Sequence, residues 1–469
     1  MKRQITGDEA SPVDAPCNNP LVSSILPRSF AKTYPVAARA DGARIWDIEG
    51  REYIDLSGSA AVSFVGFGIE DIAEAMAAQA RHLPFVHSSQ FTTEIAERFA
   101  AEVLEFAGPA FAGGAVFFTC GGSEAVETAL KLARQFQVET GHAERYEIIS
   151  RQQAYHGATL GALAVSGNTG RRAPYLPMVR EFEHTRMPNC YRCDFDCTKC
   201  EDCGHKYAEE LRAVVEHSAG RAAAFIGEPM SGATLGATIP PPNYWREIAA
   251  ICREQGLLLI ADEVMTGFGR TGRNFAIEHW NVAPDILVAG KGIGSGYAPL
   301  GAVIASKRVV GAIRNGSGTL IHGFTYNAHP VSMAAGSAVL DRIRTAELVK
   351  AADSEHGRIG APFAKALQKL SAIPAVGDVR GLGLLWGVEF VQDRATKNPF
   401  PVEMKFSNRV ATAAMKRGVL TYPMQGCVDG KSGDHILLAP PAVELDRLVE
   451  AVGLLGDAIR EAADHAARS

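Results

Sequence analysis

No apolar run approaches the roughly 20 residues that a membrane helix needs, so no helical span is expected. There is no basic run and no stripe of alternating aromatic and basic residues, which argues against a nucleic-acid binder. Net charge is only −5 over 469 residues, and mean hydropathy is near zero. Internal repeats and low-complexity tracts are also lacking. The first twenty residues, MKRQITGDEASPVDAPCNNP, open with Lys-Arg but carry no apolar stretch of the kind that a secretory signal needs. The expectation is a cytoplasmic protein whose polar N-terminal arm is mobile or straps a neighbouring subunit.

What is present is ordinary globular composition, 47% hydrophobic and 21% charged. The length allows two or three domains and a large buried core. The middle of the chain alternates short apolar runs with helical patterns. Strands are expected at 115–120, 146–150, 222–226, 257–261, 286–289 and 302–305, with helices such as 123–139 and 244–254 between them. That alternation predicts an α/β fold, a doubly wound and mostly parallel sheet with helices on both faces. The flanks differ. Short strands are expected around Gly42 and Gly50. After residue 340 the pattern reads helix (346–370), strands (376–391), helix (405–417), strand (435–438) and helix (444–466).

Chemistry-bearing residues sit where these strands end. Lys291 follows the apolar run Asp285-Ile-Leu-Val-Ala-Gly and opens a glycine-rich stretch. Open α/β sheets build their sites at that carboxyl edge. Asp262 closes the run Leu257-Leu-Leu-Ile-Ala. A lysine able to form a Schiff base and an aspartate able to pair with a pyridinium nitrogen are the two protein groups that pyridoxal phosphate chemistry requires. Alone, Lys291 reads equally as a surface lysine. Glu263 would point away from Asp262 in an extended strand, and Val264 back towards it. Thr119-Cys-Gly-Gly-Ser-Glu-Ala leaves a strand and opens a helix, so the glycines and the helix N-terminus suit a phosphate, although a plain capped helix reads the same way. Gly292-Ile-Gly-Ser-Gly lacks phosphate-loop spacing and reads as flexible backbone. In Gln153-Ala-Tyr-His-Gly, Tyr155 is placed either to stack on a planar ring or to pack on the surface. Glu228 closes another strand, near the ring or in a structural bond.

With these stretches in view, the chain resembles the class III pyridoxal phosphate aminotransferases, a family that includes omega-amino acid, ornithine and 4-aminobutyrate aminotransferases. The resemblance rests on Gly122-Ser-Glu-Ala, Tyr155-His-Gly, Glu228-Pro, the run from Leu259 through Asp262 to Gly272, Pro284 to Lys291, Gly323-Phe-Thr-Tyr-Asn-Ala-His-Pro and Val379-Arg-Gly-Leu-Gly-Leu, all in family order. It implies a fold type I transferase. Residues 1–70 would form an N-terminal arm and part of a small domain. Residues 71–340 would form the large cofactor-binding domain, and 341–469 the rest of the small one. It also implies pyridoxal 5'-phosphate as cofactor, covalently held by Lys291. Lys291 would then move the proton between substrate and cofactor, while Asp262 pairs with the ring nitrogen. Tyr155 and Val264 would cover the two ring faces, Gly122 and Ser123 would hold the phosphate, and Glu228 would lie near the ring hydroxyl. Thr325 would reach the phosphate of a neighbouring subunit, which implies a homodimer or larger homo-oligomer.

The reaction implied is transfer of an amino group from an amine or omega-amino acid to a keto acid, in two half-reactions with ping-pong kinetics. Arg380 would clamp the substrate carboxylate, although a structural arginine is the other reading. Relatives that use 2-oxoglutarate often carry a glutamate five residues after the Glu228 position; here it is Ala233, which favours pyruvate. Gly121 replaces a serine of the family's phosphate turn. The donor pocket would draw on Ser59, Ala60, Ala61 and Phe85. Decarboxylating transaminases, aminomutases and racemases of the same fold remain alternatives.

Nine cysteines are present, five of them within residues 190–203: Cys190, Cys193, Cys197, Cys200 and Cys203. They lie in an insert, 188–205, whose thiol density suits zinc or an iron–sulfur cluster, and equally free thiols or a disulfide. The transfer chemistry itself needs no metal.

Overall fold

The computed structural model describes residues 24–468 other than 31, 196 and 198. The expected arm over the first twenty residues lies outside the described residues. Three strands come first: β1 (Ala37–Asp41), β2 (Arg44–Asp47) and β3 (Glu52–Asp55). The large sheet follows, with β4 (Ala115–Thr119), β5 (Glu147–Arg151), β6 (His184–Thr185), β7 (Ala222–Gly227), β8 (Leu258–Asp262), β9 (Ile286–Ala289) and β10 (Gly301–Ala305). Their order is β4-β10-β9-β8-β7-β5-β6. The strands β6, β5, β7, β8 and β9 pair in parallel, and only β10 runs against its neighbours.

Burial explains the run of strands. Every residue of β7, β8, β9 and β10 is buried, as a sheet covered on both faces demands. Helix Gly122–Glu139 covers one face with Ala125, Val126, Ala129, Leu132, Ala133 and Phe136, at helical spacing. Helix Tyr244–Gln255 buries Tyr244, Trp245, Ile248 and Ile251 and ends on Gly256 in the left-handed conformation.

The last third adds β11 (Val376–Leu382), β12 (Leu385–Phe390), β13 (Val419–Leu420), β14 (Tyr422–Gln425) and β15 (Asp434–Leu438). These do not join one sheet. β13 runs parallel beside β3 in the order β1-β2-β3-β13, so the two flanks share a sheet. The others form a second sheet, β11-β12-β15-β14. The single helix expected at 346–370 is two helices, Leu348–Ala352 and Gly360–Gln368. The carboxylate of Asp353 accepts the N–H groups of Glu355 and His356 and turns the chain between them. Helix Pro330–Thr345, which packs on helices Glu70–His82 and Glu94–Ala107, was not anticipated.

Two buried side chains tie these parts together. Arg270 donates to the carbonyl oxygens of Ala439, Pro440 and Ser63 at 2.6–2.8 Å, joining the large sheet to both flanks. His435, on β15 and fully buried, lies 2.8 Å from the carbonyl oxygen of Ala233. A carbonyl only accepts, so Nε2 carries the proton. Burial lowers the His435 pKa to about 4, only partly offset by that carbonyl. An unfolded histidine titrates near 6.5. His435 thus supports the fold fully above pH 6.5, and that support is lost as pH falls towards 4. Urea unfolding is expected to show up to about 3 kcal/mol of acid destabilisation from this group. In His435→Gln the loss between pH 6.5 and 4 should be smaller.

Candidate active site

Four strand ends converge at the carboxyl edge of the large sheet. β8 ends in Asp262, β7 runs into Glu228, β9 passes through Gly290 to Lys291, and β5 leads to the Tyr155 loop. This is where a doubly wound sheet places its ligands. Lys291 adopts φ +46° and opens a short 3-10 turn. The glycine-rich stretch after it packs against the N-terminal segment. Ser295 is buried, and its hydroxyl oxygen accepts the N–H groups of Phe64 and Val65 at 2.8 and 3.0 Å.

Lys291 is half-buried, and its side-chain amine makes no hydrogen bond or ion pair among the described residues. Burial lowers its pKa to about 8. Asp262 and Glu228 oppose that shift with negative charge, and Arg270 and Arg171 add to it. Asp262 is 4% exposed and held twice: Oδ2 lies 2.6 Å from His156 Nδ1, and Oδ1 accepts the Val264 N–H at 3.1 Å. His156 is oriented by Ser150 Oγ, 3.1 Å from Nε2, and by its own N–H on Ser166 Oγ. The sequence reading quoted His156 without giving it a role. Its place beside Tyr155, in the loop after the strand that pairs with the one leading to Glu228, was the available signal.

Glu228 is buried, and burial pushes its carboxyl pKa up. Its Oε2 is 3.7 Å from Arg151 and has no hydrogen-bond partner among the described residues. Glu263 points away from Asp262, as the strand alternation predicted. Its carboxylate accepts the N–H groups of Ala276 and Ile277 at 2.9 and 2.7 Å and the hydroxyl of Thr266.

Val264 links the lysine to the glycine turn. A methyl group built on Gly122 would lie 2.8 Å from Val264 Cγ1, and one on Gly290 3.1 Å from it. Glycine is required at Gly122 for that close approach. Ser123 Oγ accepts the Ala158 N–H at 3.0 Å, which leaves its own O–H to donate. Both residues open helix Gly122–Glu139, whose positive end faces this edge. Tyr155 is half-buried, and the Arg171 guanidinium sits 4.3 Å from its ring centre. Arg171 was not singled out from sequence, because it lies sixteen residues beyond the tyrosine motif in a separate helical turn, Thr169–Arg172. Thr325 is exposed, in a stretch that also exposes Ile321 (74%) and Tyr326 (57%).

Arg380 departs from its expected availability. Nε donates to the Gly236 carbonyl at 3.0 Å and Nη2 to that of Leu235 at 2.5 Å, while Nη1 pairs with Asp378 and Glu389, both at 2.8 Å. Of the donor-pocket residues, Ala61 packs with Ala233 and Met230. Phe85 instead packs against Tyr326 and His329, at 5.6 and 5.7 Å between ring centres.

The residues suit a pyridoxal phosphate. Among the described residues the half-buried lysine amine lacks a partner and Glu228 Oε2 is unpaired; an aspartate is fixed at a strand end, and the glycine turn admits an anion at a helix N-terminus. Sheet order and site position together define a fold type I pyridoxal phosphate transferase.

A family profile for class III aminotransferases matches residues 26–448. An uncharacterised aminotransferase of Bacillus subtilis is 37% identical over 422 residues, covering 89% of this chain and 93% of the relative. A probable mitochondrial gamma-aminobutyrate transaminase of Oryza sativa subsp. indica is 32% identical, covering 91% and 82%. A solved (S)-enantioselective omega-transaminase from Thermomicrobium roseum superposes with a TM-score of 0.85 at 32% identity, covering 95% and 96%. The chain belongs to the class III aminotransferase family. It is a transaminase, and its cofactor is pyridoxal 5'-phosphate. Among the described residues no helix is long and apolar enough to cross a membrane.

The lowered pKa of Lys291 has a measurable sign in protein freed of cofactor. The partly desolvated ammonium destabilises the fold below about pH 8, and this is relieved as pH rises towards the ordinary lysine value of 10.5. Cofactor-free Lys291→Met is therefore expected to melt above the wild type at pH 7, by about 2 kcal/mol of stability. The gap should narrow steadily between pH 8 and 10.5.

Proposed function

We propose that this transaminase moves an amino group from an amine or omega-amino acid to a keto acid, pyruvate in preference to 2-oxoglutarate, by ping-pong kinetics. The observation that carries the reading is the half-buried Lys291, whose amine has no hydrogen-bond or ion-pair partner among the described residues, beside Asp262 and Glu228 at the sheet edge. Pyridoxal phosphate, when bound, supplies an electron sink for the bonds at the substrate's amino carbon. The protein's part is to hold it and to move protons. Asp262, kept in place by His156, would pair with the ring nitrogen. Val264 and Tyr155 would bound the ring. Gly122, Ser123 and the helix N-terminus would hold the phosphate, completed by Thr325 from a second copy of this chain. Lys291 Nζ takes a proton from the substrate carbon and returns it elsewhere, a task that its lowered pKa suits.

The preference for pyruvate is supported by Ala233, a side chain without a carboxylate, buried against Ala61. Two arginines can serve the acceptor's carboxylate. Arg380 is already engaged by two carboxylates and two carbonyls. Among the described residues the Arg171 guanidinium has, besides the Tyr155 ring, only Met424 Sδ at 3.9 Å, and its charge is felt by Lys291. We favour Arg171 for small keto acids, with Arg380 reached only after its pairs with Asp378 and Glu389 part. The parallel pairing of β13 with β3 supports a small domain drawn from both termini (1–70 and 341–469) beside the large one (71–340).

Lys291→Ala is expected to abolish alanine formation from an amine donor and pyruvate. Asp262→Asn should retain the bound cofactor but lose about 100-fold or more in kcat, the scale of a charge-assisted bond at the reacting group. Arg171→Met should raise the KM for pyruvate at least as much as Arg380→Met does. A panel of amines against pyruvate and 2-oxoglutarate tests the acceptor; equal rates with both would defeat the pyruvate preference.

A further inference from the structure

The cysteine-rich insert takes no part in the transfer chemistry. Its loop carries one aromatic anchor: Phe195 meets Tyr207 edge-on at 4.8 Å, and the Tyr207 hydroxyl exchanges hydrogen bonds with the N–H and carboxylate of Asp194. Cys190 and Cys200 are joined by a disulfide. The other three thiols converge. The sulfurs of Cys193, Cys197 and Cys203 all lie within 4.8 Å of one another, and those of Cys193 and Cys203 are 2.9 Å apart. Their further contacts are weak: Cys197 Sγ is 3.8 Å from the Phe195 carbonyl and Cys203 Sγ 3.6 Å from that of Lys199. Thiols are poor donors and acceptors, so such bonds do little to hold a loop.

A metal ion would hold it far more strongly. Cys203 lies in the first turn of helix Cys200–His217, a rigid element on which the loop cysteines converge. Cys193 and Cys197 come from the loop and are half-buried, so an ion can enter from their side. Asp194 is occupied by Tyr207, and the set is all sulfur. Such a set selects a soft or borderline ion over magnesium or calcium.

We infer that Cys193, Cys197 and Cys203 bind one zinc ion as thiolates and pin the insert to helix Cys200–His217. Binding replaces three S–H bonds by three zinc–sulfur bonds and releases three protons to solvent, with no electron transferred. Water fills the fourth tetrahedral position from the open side. The site also steadies a charge chain. Arg192, next to Cys193, donates to Glu389 at 2.6 Å, and Glu389 pairs in turn with Arg380. The zinc site does not depend on which substrate the enzyme takes.

The test uses the holoenzyme, purified without added zinc and without a metal-affinity column. Plasma emission is expected to find about one zinc per chain. Cys193→Ser/Cys203→Ser should retain less than about a tenth of it, whereas Cys252→Ser, buried in another helix, keeps it. Should the double variant fail to fold, the native protein still decides. Displacing the ion with a chelator should expose three newly reactive thiols, and cobalt in its place should give thiolate charge-transfer absorption. A native protein that lacks metal and whose three thiols react freely overturns the inference. Zinc kept by the double variant, or iron with sulfide in place of zinc, overturns it as well.

Discussion

Withdrawing the ammonium of half-buried Lys291 from water at the edge of the large sheet is the constraint to which the surrounding charges answer. A cation withdrawn from water without a partner is costly, and the pKa of about 8 expresses that cost. The fold limits it with two carboxylates at neighbouring strand ends, Asp262 and Glu228, and worsens it with Arg270 and Arg171. The balance leaves an amine that gives up its proton more readily than an exposed lysine would. Asp262 cannot turn to pair fully with Lys291, because His156 and the Val264 N–H hold both of its oxygens. The geometry that keeps the lysine reactive is therefore the geometry that keeps the aspartate aimed elsewhere.

Arg270 and His435 do at the scale of the whole chain what His156 does in the site. Arg270 joins segments near residues 63, 270 and 440 through backbone carbonyls, with no carboxylate in its hydrogen bonds. Burial lowers its pKa to about 9. His435 bonds the carbonyl of Ala233, the position at which relatives that use 2-oxoglutarate often carry a glutamate. The absence of a carboxylate there has a structural counterpart, since the residue is buried against Ala61. The polar groups that would compensate an arginine are instead Asp378 and Glu389, on Arg380 itself.

Much of the sheet was legible because fully buried parallel strands read as continuous apolar runs. β4 and β7 to β10 fall within a residue or two of their expected limits. The helix expected at 346–370 was misread because apolar spacing continues across Asp353, whereas the break comes from a local carboxylate-to-backbone bond. Periodicity does not report such a bond. Helix Pro330–Thr345 escaped notice for the opposite reason: it follows a motif read for its chemistry rather than its pattern.

By itself the sequence determined which residue types stand at the strand ends, because strand periodicity and glycine spacing are local. Lys291, Asp262, Glu228 and the Gly122-Ser123 turn could all be named before any contact was known. Only the tertiary structure decided which of their atoms are free, since that depends on neighbours a hundred residues away in the chain. It took His156 to fix Asp262, and Arg171 to lie over Tyr155. Asp378, Glu389 and two carbonyls surround Arg380, and the sulfurs of Cys193, Cys197 and Cys203 meet across a loop and a helix. Spacing along the chain carries none of those distances.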